Sequence, residues 1–286
     1  HSLRNQMPVD LKGVFTLSPL GTPYDEEGNV KLFAYPSEAL NTNPLAEALN
    51  NKNEIKHSGF VGNASFEWEI FDGFKYRIFA GADYSTSRRG EYIGSETQQR
   101  SGGPHQSNYS NWNTLSTIVD NILSYKKTFN EKHRLDALGG FTTETFRNER
   151  VFMNGTDMDY EGLWYNLGAA STIIDKGTVL SEWSIMSLIG RFNYTYNDRY
   201  ILTFTYRYDG SSRLAEGNKW AGFPSAAVGW RISEEDFLAD ADFLDNLKLR
   251  LSWGTTGNTN VDPYGTLGRL GKTYYDWDGE PAIGYN

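Results

Sequence analysis

Two carboxylates spaced two residues apart are the first residues of this chain whose chemistry suggests catalysis. Glu67 and Glu69 flank Trp68, and a pair of carboxyl groups can act as acid and base, or as nucleophile, in glycoside hydrolysis. Residues two apart also share one face of a β-strand. A polar strand face explains the pair more simply, so the sequence predicts no enzymatic role for it.

The other residue types that carry chemistry lack the context that catalysis needs. Ser211-Ser212 is not framed as a nucleophile elbow, and the glycine pairs at 102–103 and 139–140 lack the frame of a phosphate loop. The histidines show no metal-ligand spacing; they are His1, His57, His105 and His133. The sequence therefore predicts no catalytic residue, no metal site and no cofactor.

One acidic stretch has a partial likeness to a calcium loop. It runs from Asp25 to Asn29, with Gly28 near its end. The glutamate that closes an EF-hand loop is not at the required spacing. A plain turn is the simpler interpretation, and calcium binding is left open.

Composition limits the possible partners. The 286 residues carry a formal net charge of -9 and no cysteine, which excludes disulfides and argues against nucleic acid as the main partner. No apolar run approaches the ~20 residues of a membrane helix. The mean hydropathy of -0.57 excludes a helical membrane protein, but a membrane barrel hides its apolar face in every second residue.

Period-2 alternation dominates the chain and predicts an all-β protein. The clearest example is residues 200–209, where aromatic and aliphatic residues occupy one face and threonine and charged residues the other. Their apolar set is Tyr200, Leu202, Phe204, Tyr206 and Tyr208. Similar alternation is found over residues 66–82, 188–196 and 247–253. These segments predict antiparallel strands with one apolar face.

Short turns and long loops alternate between the predicted strands. Tight turns are expected at Asp72-Gly73, at residues 130–132 and at Asn197-Asp198. Long polar loops are expected at about 86–111, 148–180 and 210–219. About eight strands so connected, several of ten residues or more, are typical of antiparallel membrane-spanning β-strands in part of a large transmembrane β-barrel with long outer loops. A soluble sandwich or propeller is the alternative.

The first 54 residues differ from the rest. They are polar and proline-marked, and we expect a loop or linker between barrel strands, with a short helix at 44–49 capped by Asn43. Residues 55–286 are predicted to form the barrel wall. Near its end, Pro224 is expected at the start of a strand, and Ser233 is expected to cap a short helix with an acidic first turn.

A series of short motifs in the last third of the chain resembles a known family. They are Asp209–Arg213, Asn218–Trp220, Phe223–Ser225, Gly229–Glu235, Asn246–Arg250 and Gly254–Asn258. In their order and spacing they resemble the SusC/RagA-like, TonB-linked outer-membrane transporters. Weaker similarity upstream extends the resemblance over nearly the whole chain.

The resemblance implies a piece of an active nutrient importer in a Gram-negative outer membrane. Such an importer would take up oligosaccharides or peptides beneath a SusD-like surface lipoprotein, with energy delivered by TonB through a plug. The chain lacks a recognisable signal peptide, TonB box and plug, so we expect it to begin and end within a barrel wall of about 22 strands, surrounded by outer-membrane lipid. A secreted or surface carbohydrate-binding module and a passive porin remain alternatives.

Two groups of residues are candidates for contact with the transported solute. Loop aromatics could stack on sugars or peptides, although loop packing or rim anchoring is the simpler role for each; they are Trp164, Tyr165, Trp220, Tyr92 and Tyr109. Charged residues on polar strand faces are expected to face the lumen, where pairing with one another or with the plug is favoured over lining a solute path. These are Arg191, Arg207, Asp209 and Arg250.

Overall fold

A computed structural model describes most of the chain. The described residues are 2–5, 14–15, 17–35, 41–158, 160, 162–238, 245–268, 272–277 and 280–285. Among them, no helix combines the length and the apolar character needed to cross a membrane. Strands account for most of the described structure, and the all-β prediction is confirmed.

Nine strands form one sheet in which every strand lies beside its neighbours in the sequence. They are β1 (Ser2–Asn5), β2 (Asn51–Phe71), β3 (Phe74–Ile93), β4 (Gln106–Phe129), β5 (His133–Met158), β6 (Ala170–Tyr196), β7 (Tyr200–Ser211), β8 (Trp220–Arg231) and β9 (Lys248–Gly254). A separate antiparallel pair consists of β10 (Lys272–Trp277) and β11 (Glu280–Tyr285). A chain that returns at every step gives an antiparallel meander.

The three tight turns lie where the sequence predicts them. Gly73 has a φ of 74°, and any side chain there would overlap the Lys126 carbonyl. Asn197 and Asp198 have φ values of 48° and 52°, a conformation that Asn and Asp tolerate better than most residues. Residues 130–132 form the third turn.

The strands are longer than the alternation indicates. Strands β2 to β6 contain 21, 20, 24, 26 and 27 residues. The long loops expected at 86–111 and 148–180 were therefore wrong in extent, and the connections reduce to residues 94–105 and 159–169. The backbone ladder needs no apolar partner, so a strand with polar side chains on both faces continues without a period-2 signal.

The short helix in the N-terminal region is confirmed. Helix α1 spans Pro44–Asn50, and the side chain of Asn43 accepts a hydrogen bond from the Leu45 amide at 3.1 Å. Strand β1 already pairs with β2, and β2 begins at Asn51. The proposed division of the chain at residue 54 stays a prediction.

Two expectations about β8 and the segment after it are corrected. Pro224 lies inside β8 and not at its start. It is tolerated because pairing of β8 with β9 stops at Ser225, so the missing N–H falls where one neighbour ends. Ser233 caps no helix: two 3₁₀ turns, Ile232–Glu234 and Asp236–Leu238, follow β8, and the first has no side-chain cap.

The chain divides into two compact units. Unit 1 comprises His1–Val61, Asp83–Leu115 and Arg147–Ser181, and unit 2 comprises Gly62–Ala82, Ser116–Phe146 and Glu182–Asn286. Strands β2 to β6 contribute residues to both units. Among the described residues, every buried apolar side chain lies in unit 1. These are Ala34, Ala46, Tyr92, Ile93, Met158, Trp164 and Leu167.

Candidate functional site

Unit 2 presents one continuous apolar face that is exposed. The predicted apolar set of β7 is between 37% and 48% exposed. Strand register extends this face across four strands, because Phe192 pairs with Phe204, and Leu202 with Val228, which in turn pairs with Leu251. Exposed apolar surface on this scale marks contact with a membrane or another apolar partner.

Aromatic rings on this face lie over glycines of neighbouring strands. Any side chain at Gly222 would overlap the ring of Tyr206, its neighbour one step diagonally across β7 and β8. Trp220 covers Gly210 in the same way and stacks on Tyr208, with ring centroids 5.1 Å apart. The glycines let large rings lie flat on the sheet, so the face stays smooth and apolar.

The opposite face of β6 and β7 carries charge. Arg207 donates from Nε to both carboxylate oxygens of Asp209, at 2.7 and 2.8 Å, and from Nη2 to the buried Ser187 hydroxyl at 3.1 Å. Arg191 lies on this face opposite Thr205, and Arg250 opposite Gly229. The predicted pairing of these charges with one another is present for Arg207 and Asp209.

The paired carboxylates of β2 are bound to a lysine across the first hairpin. The Lys75 ammonium lies 3.0 Å from Glu67 and 3.8 Å from Glu69. One cation between two carboxylates is a structural ion-pair cluster on an exposed strand face. The arrangement supports the polar-face interpretation of these glutamates.

A polar cluster closes the turn side of β7 and β8. The Glu235 carboxylate accepts hydrogen bonds from the Tyr200 hydroxyl at 2.6 Å and from the Trp230 indole at 2.9 Å, and Arg199 lies 3.2 Å away. Arg199 also pairs with Asp236 at 2.6 Å. The hydrogen bonds from Tyr200 and then Trp230 hold the pKa of Glu235 below its usual range. Glu235 thus ties together the segments before β7 and after β8.

A row of amide, carboxylate and guanidinium groups crosses β2, β3 and β4 in unit 1. Arg89 donates to the Asn53 oxygen at 3.2 Å and to Glu91 at 3.2 Å, while Asn108 donates to the other Glu91 oxygen at 3.0 Å. The Asn108 side-chain oxygen is buried and has no partner among the described residues. This row offers both donors and acceptors to a polar ligand.

Two arginines rest on aromatic rings. The Arg150 guanidinium lies 5.1 Å from the ring centre of Trp112 and 4.7 Å from that of Phe152. In unit 2, Arg213 lies 4.2 Å over Trp183. These sites were not predicted from the sequence, because Trp112 lies on a different strand from Arg150 and Trp183 on a different segment from Arg213. Arginine and aromatic residues at every second strand position are the only signal that could have pointed to them.

The five predicted ligand-binding aromatics occupy different environments. Trp164 is 6% exposed and covers Gly90, so that any side chain at residue 90 would overlap its ring. Tyr165 packs on Trp164 with centroids 5.2 Å apart and is 66% exposed. Tyr92 is buried, with its ring 5.6 Å from that of His105.

The remaining two lie on strands. Tyr109 lies on β4 in unit 1 and is half-buried, whereas Trp220 is part of the apolar face of unit 2. The structure therefore brings Trp164 and Tyr165 together, while Trp220 belongs to the other unit. Ligand binding by these residues stays a prediction.

The acidic stretch at Asp25 is a closed turn. The Asp25 carboxylate accepts from the Asn29 amide at 2.7 Å and from its side chain at 3.1 Å, and Gly28 has a φ of 87°. Burial would raise the pKa of Asp25, but the hydrogen bonds from Asn29, Glu27 and Gly28 together hold that pKa below its usual value. Across the described residues, no group of three or more His, Cys, Asp or Glu side chains is arranged to hold a metal ion.

The geometry of two chemically opposite faces on long antiparallel strands agrees with a family comparison. A family model described as TonB dependent receptor-like, beta-barrel matches residues 6–284. The chain belongs to this family. Barrels of the TonB-dependent receptor family are outer-membrane proteins, and this chain contributes wall strands of such a barrel.

Curated relatives extend well beyond the matched region. TonB-dependent receptor P3 of Formosa agariphila is 30% identical over 263 residues, which are 92% of this chain and 24% of that protein. TonB-dependent receptor SusC of Bacteroides thetaiotaomicron is 35% identical over 227 residues, 77% of this chain and 21% of that protein. The chain thus spans about a quarter of the length of these curated relatives.

Solved structures share the fold of this TonB-dependent receptor segment. The structure of the RagAB peptide transporter superposes with a TM-score of 0.80 at 22% identity, covering 92% of this chain and 29% of that one. The open-open state of the RagAB peptide importer gives a TM-score of 0.77 at 21% identity, with the same coverage. In a receptor barrel of this kind, the exposed apolar face of unit 2 is the lipid-contacting surface.

Proposed function

We propose that this chain forms part of the barrel wall of a TonB-dependent importer that carries oligosaccharides or peptides across the outer membrane. The observation that carries the proposal is the pairing of an exposed apolar face with a charged face on the same strands of unit 2. A lysine or arginine turned toward lipid costs about 2–4 kcal/mol near the bilayer midplane. Arg191, Arg207, Asp209 and Arg250 therefore face the lumen, where they contact the plug or water.

Import by such a protein is conformational and needs no covalent chemistry. TonB would act on the plug, and its displacement would open a path for the solute along the charged face. A SusD-like lipoprotein would cover the outer opening, a partnership supported by the similarity to SusC and by the fold shared with RagAB. Enzymatic activity has no place in this mechanism.

Uptake by cells tests the proposal directly. Deletion of the gene should abolish growth on one class of oligosaccharide or peptide, and the intact gene should restore it only in cells with functional TonB. Uptake that continues without TonB would favour a passive porin, as would a constitutively open pore in planar bilayers. Extraction of the protein by buffer without detergent would favour a soluble carbohydrate-binding module.

Co-purification tests the lipoprotein partner. Mild detergent extraction of the full-length protein should recover a surface lipoprotein encoded beside it, in a stable complex. Recovery of the barrel protein alone, under conditions in which import is intact, would contradict this part of the proposal.

Tyr165 is the predicted aromatic with the largest exposed ring in unit 1. We expect Tyr165→Ala to weaken ligand binding by the full-length protein, because the loss of stacking on a sugar or peptide costs about 0.5–1.5 kcal/mol. Phe204→Ala is the control, since Phe204 lies on the apolar face of unit 2 and is not among the predicted ligand-binding aromatics. Titration calorimetry would compare the two, and equal affinities would remove Tyr165 from the ligand site.

A further inference from the structure

The guanidinium of Arg150 lies over two aromatic rings on one face of the wall. Its guanidinium carbon lies 5.1 Å from the ring centre of Trp112 on β4 and 4.7 Å from that of Phe152 on β5. We call these three residues the Arg150 clamp. Rings on a guanidinium fix the plane of its donors while leaving their edge open for hydrogen bonds.

The charge of Arg150 is not neutralised within the described part of the chain. Its Nε is buried without a partner, and its contacts with described residues are those with the two rings. Several other strand arginines have a carboxylate partner among the described residues, as Arg88 has Glu54 and Arg147 has Glu149. Arg150 has two rings in place of a carboxylate, and a buried guanidinium donor without a partner calls for an explanation.

Strand alternation places Arg150 on the charged face. A side chain at Gly140 of β5 would meet Ile189 at 2.9 Å, and Ile189 is the cross-strand partner of Arg207. Arg150 is an even number of residues from Gly140 and therefore shares its face. Asn148, also on this face, donates to Thr114 at 2.6 Å. The clamp thus belongs to the face that the proposed function turns toward the lumen.

The polar groups of unit 1 on this face suit hydroxyl-rich ligands. Gln106 donates to Asn154 at 2.9 Å, and Asn108 donates to Glu91 while its own oxygen lacks a partner. An amide side chain offers a donor and an acceptor side by side, and a sugar hydroxyl likewise both donates and accepts. This row therefore offers paired donors and acceptors to the hydroxyls of an oligosaccharide.

From these observations we infer that the Arg150 clamp binds a carboxylate of an acidic oligosaccharide during import. The inference rests on the proposed function and narrows its substrate class. The carboxylate accepts two hydrogen bonds from the terminal guanidinium nitrogens, which the rings hold in one plane. Because the chain carries a net charge of -9, a stacked arginine provides a local positive site for an anion that the other charges of the chain repel.

The test measures the preference for charged over neutral ligand. The full-length protein, with its lipoprotein partner if one co-purifies, is titrated calorimetrically with short oligogalacturonides and with the same oligomers after reduction of their carboxyl groups. Wild-type protein should prefer the acidic form by at least about tenfold, and the preference should shrink as salt is raised. Arg150→Gln should abolish the preference with little change for the neutral form.

Two further variants separate the clamp from general effects. Arg150→Lys keeps the charge but lacks the planar fork, so most of the preference should be lost while folding is retained. Arg147→Gln is the matched control, because Arg147 lies on the opposite face of the same strand and is paired with Glu149. The Arg147→Gln protein should prefer acidic over neutral oligomers as strongly as the wild type does. Folding of every variant is checked by the heat-dependent shift of barrel mobility on gels.

Several outcomes would overturn the inference. These are equal binding of acidic and neutral oligomers by wild type, an unchanged preference in Arg150→Gln, and Arg150-dependent binding of acidic peptides but not of oligogalacturonides. A loss of stability in Arg150→Gln without any change of ligand preference would show that Arg150 supports another part of the barrel. If neutral oligosaccharides are imported through TonB while acidic ones are not bound, this inference fails but the proposed function stands.

Discussion

The two units of the chain treat their apolar side chains in opposite ways. In the described part of unit 1, seven apolar side chains are buried, among them Trp164 and Met158, whereas the described part of unit 2 buries none. Unit 2 instead exposes large residues such as Phe204, Leu251 and Trp253. Unit 1 therefore obtains stability from its own packing, while unit 2 requires an apolar solvent on one face.

Polar groups show the reverse contrast. Of the seven buried side-chain atoms without a hydrogen-bond partner in the described structure, six lie in unit 1 and one, Arg213 Nε, lies in unit 2. Buried groups left without partners are rare in folded proteins, and each calls for an explanation such as a ligand, a water molecule or an ion. The comparison agrees with membrane contact by unit 2 and supports the proposal that unit 1 contacts the solute.

Removal of a packed ring from unit 1 should have the largest effect. Trp164→Ala leaves a cavity over Gly90 and should cost about 3–5 kcal/mol of local stability. The loss is one of packing, because the indole nitrogen has no partner among described residues. Limited proteolysis of the 159–169 segment measures it, with Tyr165→Ala as the exposed control. Equal protease resistance in both variants would mean that unit 1 does not depend on its own core.

A charge on the apolar face tests the dependence of unit 2 on lipid. Phe204→Arg should destabilise the full-length barrel by about 2–4 kcal/mol in lipid vesicles, measured by urea unfolding. Thr203→Arg, on the opposite face of β7, is the matched control and should change stability much less. Tolerance of arginine at both positions would contradict the assignment of the two faces.

The cap of α1 offers a smaller test within unit 1. Asn43 accepts from the Leu45 amide and donates to the carbonyls of Pro23 and Lys31, both at 2.9 Å. Asn43→Ala should cost about 1–2 kcal/mol, seen as faster hydrogen exchange in α1. Asn43→Asp keeps the cap acceptor but loses the donor, so hydrogen exchange in α1 should be slower than in Asn43→Ala but faster than in the wild type. Identical exchange in the two variants would show that the cap bond contributes little.

The smallest expected effect is a pH dependence of unit 2. The pKa of Glu235 is lower in the folded protein than in the unfolded chain, mainly through hydrogen bonds from Tyr200 and Trp230. The contribution of Glu235 to stability is therefore complete above the pKa of the unfolded chain and is lost as the pH falls through the lower pKa of the folded protein. Thermal unfolding between pH 7 and 3 should show a shallower decline in Glu235→Gln. Parallel curves for variant and wild type would exclude this contribution.

The sequence was most informative where the environment of a strand differs between its two faces. The apolar and polar sets of β7 and the turn at Asn197-Asp198 could be read directly, because lipid on one face imposes strict alternation and a tight turn needs residues that tolerate positive φ. The cap at Asn43 could be predicted because an asparagine directly before the first helical residue is itself the signal for a cap. These predictions depend on a few neighbouring residues.

The lengths of the strands and the candidate site could not be predicted as well from the sequence. Residues 148–158 and 170–180 were expected to be loop, yet they continue β5 and β6, since strands without an apolar face lack a period. The Arg150 clamp joins residues from two strands across a separation that no local pattern encodes. Likewise, the burial of Trp164 follows from a glycine more than seventy residues earlier in the chain.

The strict opposition of faces in β7 also limits how this wall can change during evolution. Deleting one residue between Tyr200 and Phe204 would turn every later side chain of the strand, so that Arg207 would move to the apolar face and Tyr206 to the charged face. Removal of two residues would preserve the faces but shift the register with β6 and β8. We therefore expect insertions and deletions to be tolerated in connections such as 94–105 and 212–219 and not within β7.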